Sequence, residues 1–415
     1  MDRSPKALIP VVRKRNDFTA LNNTIDQRML EKDGATIGSA VDAGYGWVAE
    51  WEKHEATWIA WPHNAKTWPG KFKSIPNVTE QMVRALAEVE HVHVLGGTPD
   101  ATLQARQFLS GATNVTIHET DTNDCWIRDF GPTFLLSHDR KKLGATRWRF
   151  NAWGGKYPHE KDASASEKIC EMLSDQGKLR KEGELAMVSF GSSLVGEGGG
   201  LETDGQGTLM TTSSCLLAST RNFHWTRERI EAELKRMLGI RKVLWVDGGA
   251  LAGDDTDSHI DQLARFVRPG LVVAAVSYSS NDCNADKLNL QREHLIEMTD
   301  AEGRPLDIIP LMTPPPRLIQ GKRVPESYCN FYIANEIVIM PTFGFRETDD
   351  LAAGILQDLM PERRVVCMDA SDFIWGLGAF HCATQQQPAI GTCFDPIPTE
   401  IPEKIPAEIP AEIPR

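Results

Sequence analysis

One cysteine, Cys382, lies in a stretch that presents its thiol as a nucleophile: Trp375-Gly376-Leu377-Gly378-Ala379-Phe380-His381-Cys382-Ala383-Thr384-Gln385-Gln386-Gln387-Pro388. Glycines before it let the backbone bend sharply and approach a ligand closely. The residues after it offer hydroxyl and amide groups instead of core-filling bulk. A lone thiol is ordinarily a small buried hydrophobe, so this reading depends on partners elsewhere in the chain. Residues 122–132 carry Asp124, Trp126, Arg128 and Asp129 beside a Gly-Pro turn. A carboxylate buried there needs a cationic partner, either Arg128 or a ligand. Residues 196–208 carry Glu197 before a triple glycine. The Lys-Ser/Thr ending of a phosphate loop is missing, and Asp204-Gly205 and Gln206-Gly207 have hairpin-turn chemistry. In residues 253–261, His259 stands among Asp254, Asp255, Asp257 and Asp261. Both residue types ligate metals, but no HExxH or EF-hand spacing is present. In an extended segment His259 and Asp261 share one face, which suits an imidazole and a carboxylate converging on one substrate. Asn330 lies in a fifth polar stretch, 327–335.

The elements that must position these groups alternate between helix and strand. Helical spacing covers 77–90, 100–109, 163–177, 226–238 and 348–360, while β-rich runs cover 57–62, 91–95, 114–118, 185–190, 242–246, 263–267, 337–340 and 364–368. Such alternation is the pattern of an α/β fold. The five polar stretches recur at intervals of roughly 50–70 residues, as repeated supersecondary units would. Each is followed by a strand-like run, so each unit delivers one loop to a shared centre. Phe150–Pro158, with its glycine pair, reads as a shaped loop.

The chain has 415 residues, is 41% hydrophobic and 25% charged, and has a formal charge of −12. These values describe a globular protein without the basic footprint of a nucleic-acid binder. The acidic balance is compatible with a cationic small molecule. Eight scattered cysteines form no CxxC spacing, and neither a membrane-length apolar run nor a signal-peptide core is seen. The expectation is a cytoplasmic protein with reduced thiols. Residues 1–46 read as a partly disordered extension, 47–394 as the catalytic domain, and 395–415 as a tail. Proline at every fourth position keeps that tail extended.

Taken together, the blocks Glu55–Pro62, Asn123–Pro132, Phe150–Lys156, Asp255–Asp261, Asn330–Asn335 and His381–Pro388 resemble the agmatine deiminase family, relatives of the bacterial-type peptidylarginine deiminases. The resemblance spans roughly residues 47–391. It implies a five-bladed α/β propeller of ββαβ repeats with pseudo-fivefold symmetry. The implied reaction converts agmatine and water to N-carbamoylputrescine and ammonia through a covalent amidino-cysteine. Carried over by position, Cys382 is the nucleophile, His259 the general acid/base, and Asp129 and Asp261 the carboxylates that hold the guanidinium. Trp126 and Asn330 then line the substrate channel, and Glu197 either meets the distal amine or supports its loop. No metal or cofactor is implied, nor any nucleic acid or membrane; a homodimer is the assembly considered. Peptidylarginine-processing relatives carry arginines where this chain has Ala152-Trp153-Gly154, which favours a small amine. Asp247 stands where the family usually has proline, and Ser258 and Leu377 where glycine is usual, so the last two bear on which guanidine fits. A deiminase of arginine or peptidyl arginine, or a non-catalytic guanidine-binding homologue, are the alternatives.

Overall fold

The computed structural model describes residues 38–178 and 187–391. Within them the chain makes the same move five times: an antiparallel strand pair, then a helix, then a strand parallel to the second of the pair. Strand β1 (His54–Ala60), helix α1 (Ile75–Ala87) and β2 (His91–Gly97) begin the first unit. The second has β3 (Thr133–Ser137), β4 (Leu143–Arg149), α2 (Glu160–Lys178) and β5 (Val188–Val195). The third has β6 (Glu202–Thr203), β7 (Thr208–Thr211), α3 (Arg227–Leu238) and β8 (Lys242–Trp245). The fourth has β9 (Ala264–Arg268), β10 (Leu271–Val276), α4 (Ala285–Glu297) and β11 (Asp307–Met312). The fifth has β12 (Tyr332–Ile333), β13 (Ile337–Thr342), α5 (Arg346–Leu359) and β14 (Arg364–Asp369). Strand β15 (Thr384–Pro388) then returns as the antiparallel partner of β1, so the last strand completes the first sheet.

Local chemistry explains these boundaries. Helix α3 starts where Thr226 accepts a hydrogen bond from the Arg229 amide and stops at Gly239, whose φ of 71° few other residues adopt readily. Its Ile230, Leu234, Met237 and Leu238 form the buried face. Strand β10, Leu-Val-Val-Ala-Ala-Val, is buried at every position, as a strand covered on both faces must be. The Asp204–Gly207 hairpin expected from sequence joins β6 and β7 in an antiparallel pair.

The chain is therefore a mixed α/β protein with several sheets. Packed structure begins before Trp47: Ala40 and Tyr45 are buried, and Tyr45–Trp47 pairs with Leu135–Ser137. The expectations for residues 1–37 and for the 395–415 tail lie outside the described residues. Among the described residues, no helix is long and apolar enough to cross a membrane.

Candidate active site

Each polar stretch singled out in the sequence ends a strand-to-loop connection, and the loops meet. Asp129 lies in a short helical turn, Ile127–Phe130, immediately before β3. Glu197 precedes a 3-10 turn at Gly198–Gly200 that leads into β6. His259 and Asp261 precede β9. Asn330 ends the turn before β12, and Cys382 lies just ahead of β15. All six side chains are buried.

The glycine between Glu197 and β6 shows how closely they converge. A Cβ placed on Gly199 would lie 2.7 Å from His259 Nδ1, 2.8 Å from Asp129 Oδ1 and 3.0 Å from Asp261 Oδ2. Only a residue without a side chain fits. Cys382 Sγ is 3.5 Å from Asp261 Oδ2, and Asn330 Nδ2 donates to Sγ at 3.2 Å. Asn330 Oδ1 accepts from the backbone amides of Ala379 and Cys382, so one side chain holds the loop carrying the thiol. Trp126 walls the same corner: a Cβ on Gly378 would lie 2.7 Å from its ring and 3.2 Å from Cys382 Cβ. The glycines before Cys382 are thus needed for close approach.

The expected extended His259–Asp261 segment is corrected by the structure. His259 is extended, but Ile260–Gln262 forms a 3-10 turn, closed by the Leu263 amide on the Ile260 carbonyl. Both side chains still face the Gly199 loop. Arg128 is not the partner of Asp129. Its guanidinium instead reaches Glu50 at 3.2 Å and Gln386 at 2.6 Å. The Asp129 carboxylate accepts from the Gly199 amide and from Trp153 Nε1, both at 2.9 Å.

Burial sets the charge states. Burial, reinforced by Asp261 and Glu197 and opposed by His259 and Trp153, lifts the Asp129 carboxyl to about 6. Burial together with the charges of Asp261 and Asp129 pushes the Cys382 thiol well above its ordinary value. Burial alone would lower the His259 imidazole, but Asp129, Cys215 and Glu197 outweigh it and hold the ring well above its usual value. For Asp261, burial favours the neutral acid, yet His381 beside it keeps the carboxyl below its ordinary value.

Glu197, expected to meet the distal amine or support its loop, is buried, accepts from Arg221 Nε at 3.0 Å and lies 3.5 Å from His259 Nε2. Sequence reasoning passed over several other partners. His381, quoted only as the neighbour of Cys382, bridges Asp261 at 2.7 Å and Glu50 at 2.9 Å. Trp153 and Lys156 come from the shaped loop, in which Ala152 and Trp153 have φ of 52° and 54°. Lys156 and Arg221 both bind Asp257, so these two cations are already paired. Ser258 and Leu377 have φ of 82° and 70°, the left-handed region that favours glycine. Asp247 bonds to Ser213 in its turn. Among the described residues, the one cluster with metal-ligand spacing is Glu197, Cys215 and His259. Arg221, bonded to Glu197, opposes a cation there.

Known proteins share this architecture. An agmatine deiminase of Medicago truncatula is 33% identical over 374 residues, covering 84% of this chain and 97% of that protein. The solved agmatine deiminase of Enterococcus faecalis superposes with a TM-score of 0.76 at 29% identity, covering 85% of this chain and 98% of that one. An agmatine deiminase of C. jejuni, solved with substrate bound, superposes with a TM-score of 0.73 at 26% identity over 83% of this chain and 97% of its own. The Porphyromonas-type peptidyl-arginine deiminase family matches residues 46–388, and the chain belongs to that family.

Proposed function

We propose that the chain is an agmatine deiminase, hydrolysing agmatine to N-carbamoylputrescine and ammonia. The observation that carries this reading is the convergence of a thiol, an imidazole and two carboxylates from three loops in one buried centre. A guanidinium is planar and cationic, and its N–H groups match paired carboxylate oxygens. Asp129 and Asp261 hold it, and its charge beside Cys382 offsets the burial that keeps the thiol protonated. As the cation binds, the Cys382 thiol releases its proton to solvent, and the thiolate attacks the guanidinium carbon. The bond to one terminal nitrogen breaks, and that nitrogen leaves as ammonia with a proton from His259. Water, deprotonated by His259, then attacks the amidino-thioether carbon. The C–S bond breaks, freeing the ureido product and the thiolate. Glu197 and Arg221 orient the His259 ring, and Asn330 sets the Cys382 loop.

The substrate's far end is an amine in this reading. Lys156 pairs with Asp255 and Asp257, Arg221 pairs with Glu197 and Asp257, and no arginine follows Asn151 to grip a carboxylate. The five ββαβ units, closed by β15 on β1, support a five-bladed propeller with the site on its axis. All the proposed catalytic residues come from one chain, so a monomer and a homodimer serve equally. Seven reduced cysteines among the described residues accord with a cytoplasmic setting. The test compares kcat/KM for agmatine, arginine and a peptidyl arginine. Agmatine preferred by at least tenfold supports the assignment; preference for either of the others overturns it.

A further inference from the structure

Two histidines lie in this centre, and the mechanism uses one. The other, His381, is fully buried between two carboxylates: Nδ1 is 2.7 Å from Asp261 Oδ2 and Nε2 is 2.9 Å from Glu50 Oε2. Ionised carboxylates only accept hydrogen bonds, so a ring bonded to both at these distances carries a proton on each nitrogen. Glu50 is itself fixed by the Arg265 guanidinium at 2.8 Å, the Arg128 guanidinium at 3.2 Å and the Ile333 amide at 2.9 Å. The imidazole therefore cannot swing without breaking a braced contact. Asp261 Oδ2 accepts from His381 and lies 3.5 Å from Cys382 Sγ, while Oδ1 is buried with no hydrogen-bond partner. A buried acceptor left unpaired costs about 1–3 kcal/mol. An unbound guanidinium is a group that would satisfy it.

We infer that His381, braced by Glu50, is a positioning residue that pins Asp261 through Oδ2, fixing the carboxylate beside Cys382 with Oδ1 left unpaired for the substrate guanidinium. This rests on the deiminase reading and assigns a residue that the reaction scheme leaves idle. The His381 ring also holds the Asp261 carboxyl beside it below its ordinary value. The other charged or titratable groups facing this pair are Arg265, Arg128, Asp129, Glu202, His259, Cys329 and Cys382.

Two substitutions separate the two ends of the imidazole. In His381→Asn the amide nitrogen falls where Nδ1 was and still donates to Asp261. In His381→Gln the amide reaches toward Glu50, and Asp261 loses its donor. The inference predicts that kcat/KM for agmatine drops about 100-fold in His381→Gln, and that His381→Asn recovers to within about tenfold of wild type. It also predicts that the acid limb of the pH profile moves up and steepens in His381→Gln, because Asp261 then titrates with Asp129. A role confined to bracing Glu50 predicts the reverse order, with the glutamine variant the better enzyme; that result, or equal losses with an unmoved acid limb, overturns the inference. A wild-type protein without activity on agmatine would count against the deiminase reading alone. The pinning of Asp261 is then read from the pH dependence of Cys382 alkylation by chloroacetamidine. That dependence shifts in His381→Gln and not in His381→Asn if the inference holds, and shifts equally in both if it fails.

Discussion

His259 and His381 occupy neighbouring positions in one buried centre, each between two carboxylates, yet their contacts differ. The His381 nitrogens make hydrogen bonds of 2.7 and 2.9 Å. Those of His259 lie 3.6 Å from Asp129 and 3.5 Å from Glu197, and neither makes a hydrogen bond. A saturated imidazole is held in one place. One with longer contacts keeps its nitrogens available to pass a proton to a leaving group and take one from water. The same side chain is clamped at one position and less tightly bonded at the other, by a difference of less than 1 Å in partner distance.

The largest expected effect comes from removing the acid/base ring. His259→Asn should lower kcat about 10^3-fold; single-turnover kinetics checks it. Next in size is Gly199→Ala. Its methyl would enter the space between His259, Asp129 and Asp261, and kcat/KM should fall about 100-fold through misplacement alone. Steady-state kinetics at a fixed pH measures it, and a near-normal value would mean these groups are further apart than described.

A smaller effect concerns Asp129. Its carboxyl titrates at about 6, so it takes up a proton as the pH falls through that value and ceases to attract a guanidinium. The acid limb of kcat/KM for agmatine should therefore lie near pH 6. Trp153→Phe removes a donor that favours the ionised form, and the limb should move upward with a loss of about tenfold at pH 6. A pH-rate profile of both proteins decides it. The smallest effect is on stability. Ser258 combines a left-handed backbone with a buried hydroxyl that has no partner. Ser258→Gly should raise unfolding stability by about 1 kcal/mol in denaturant titration.

What could be read in advance follows the same division. Cys382, His259, Asp129 and Asp261 stood out as reactive residue types in short polar blocks bounded by strands, their roles came from the family resemblance, and the fold brings them together. The α/β alternation was legible because helices such as α3 carry regular apolar faces. Helix α4 was passed over because it buries only Ala285, Leu288, Gln291 and Leu295. Glu50 could not be found from spacing: it is 331 residues from His381 in the chain, and a lone glutamate between tryptophans gives no sign of burial. Trp153 stood inside a recognised block, yet its bond to Asp129 depends on the left-handed run at Ala152 and Trp153. Long-range partners and backbone turns of this kind exist only once the units have closed on one another.

The central claim is that Cys382 attacks a guanidinium carbon held in this centre. Acid quenching during turnover of agmatine, followed by mass spectrometry of the peptide carrying Cys382, tests it most directly. The account predicts an adduct of agmatine less one ammonia on Cys382, on no other cysteine, and no turnover by Cys382→Ser. Turnover by Cys382→Ser at a rate comparable to wild type, or an adduct formed elsewhere while Cys382 stays free, would contradict it.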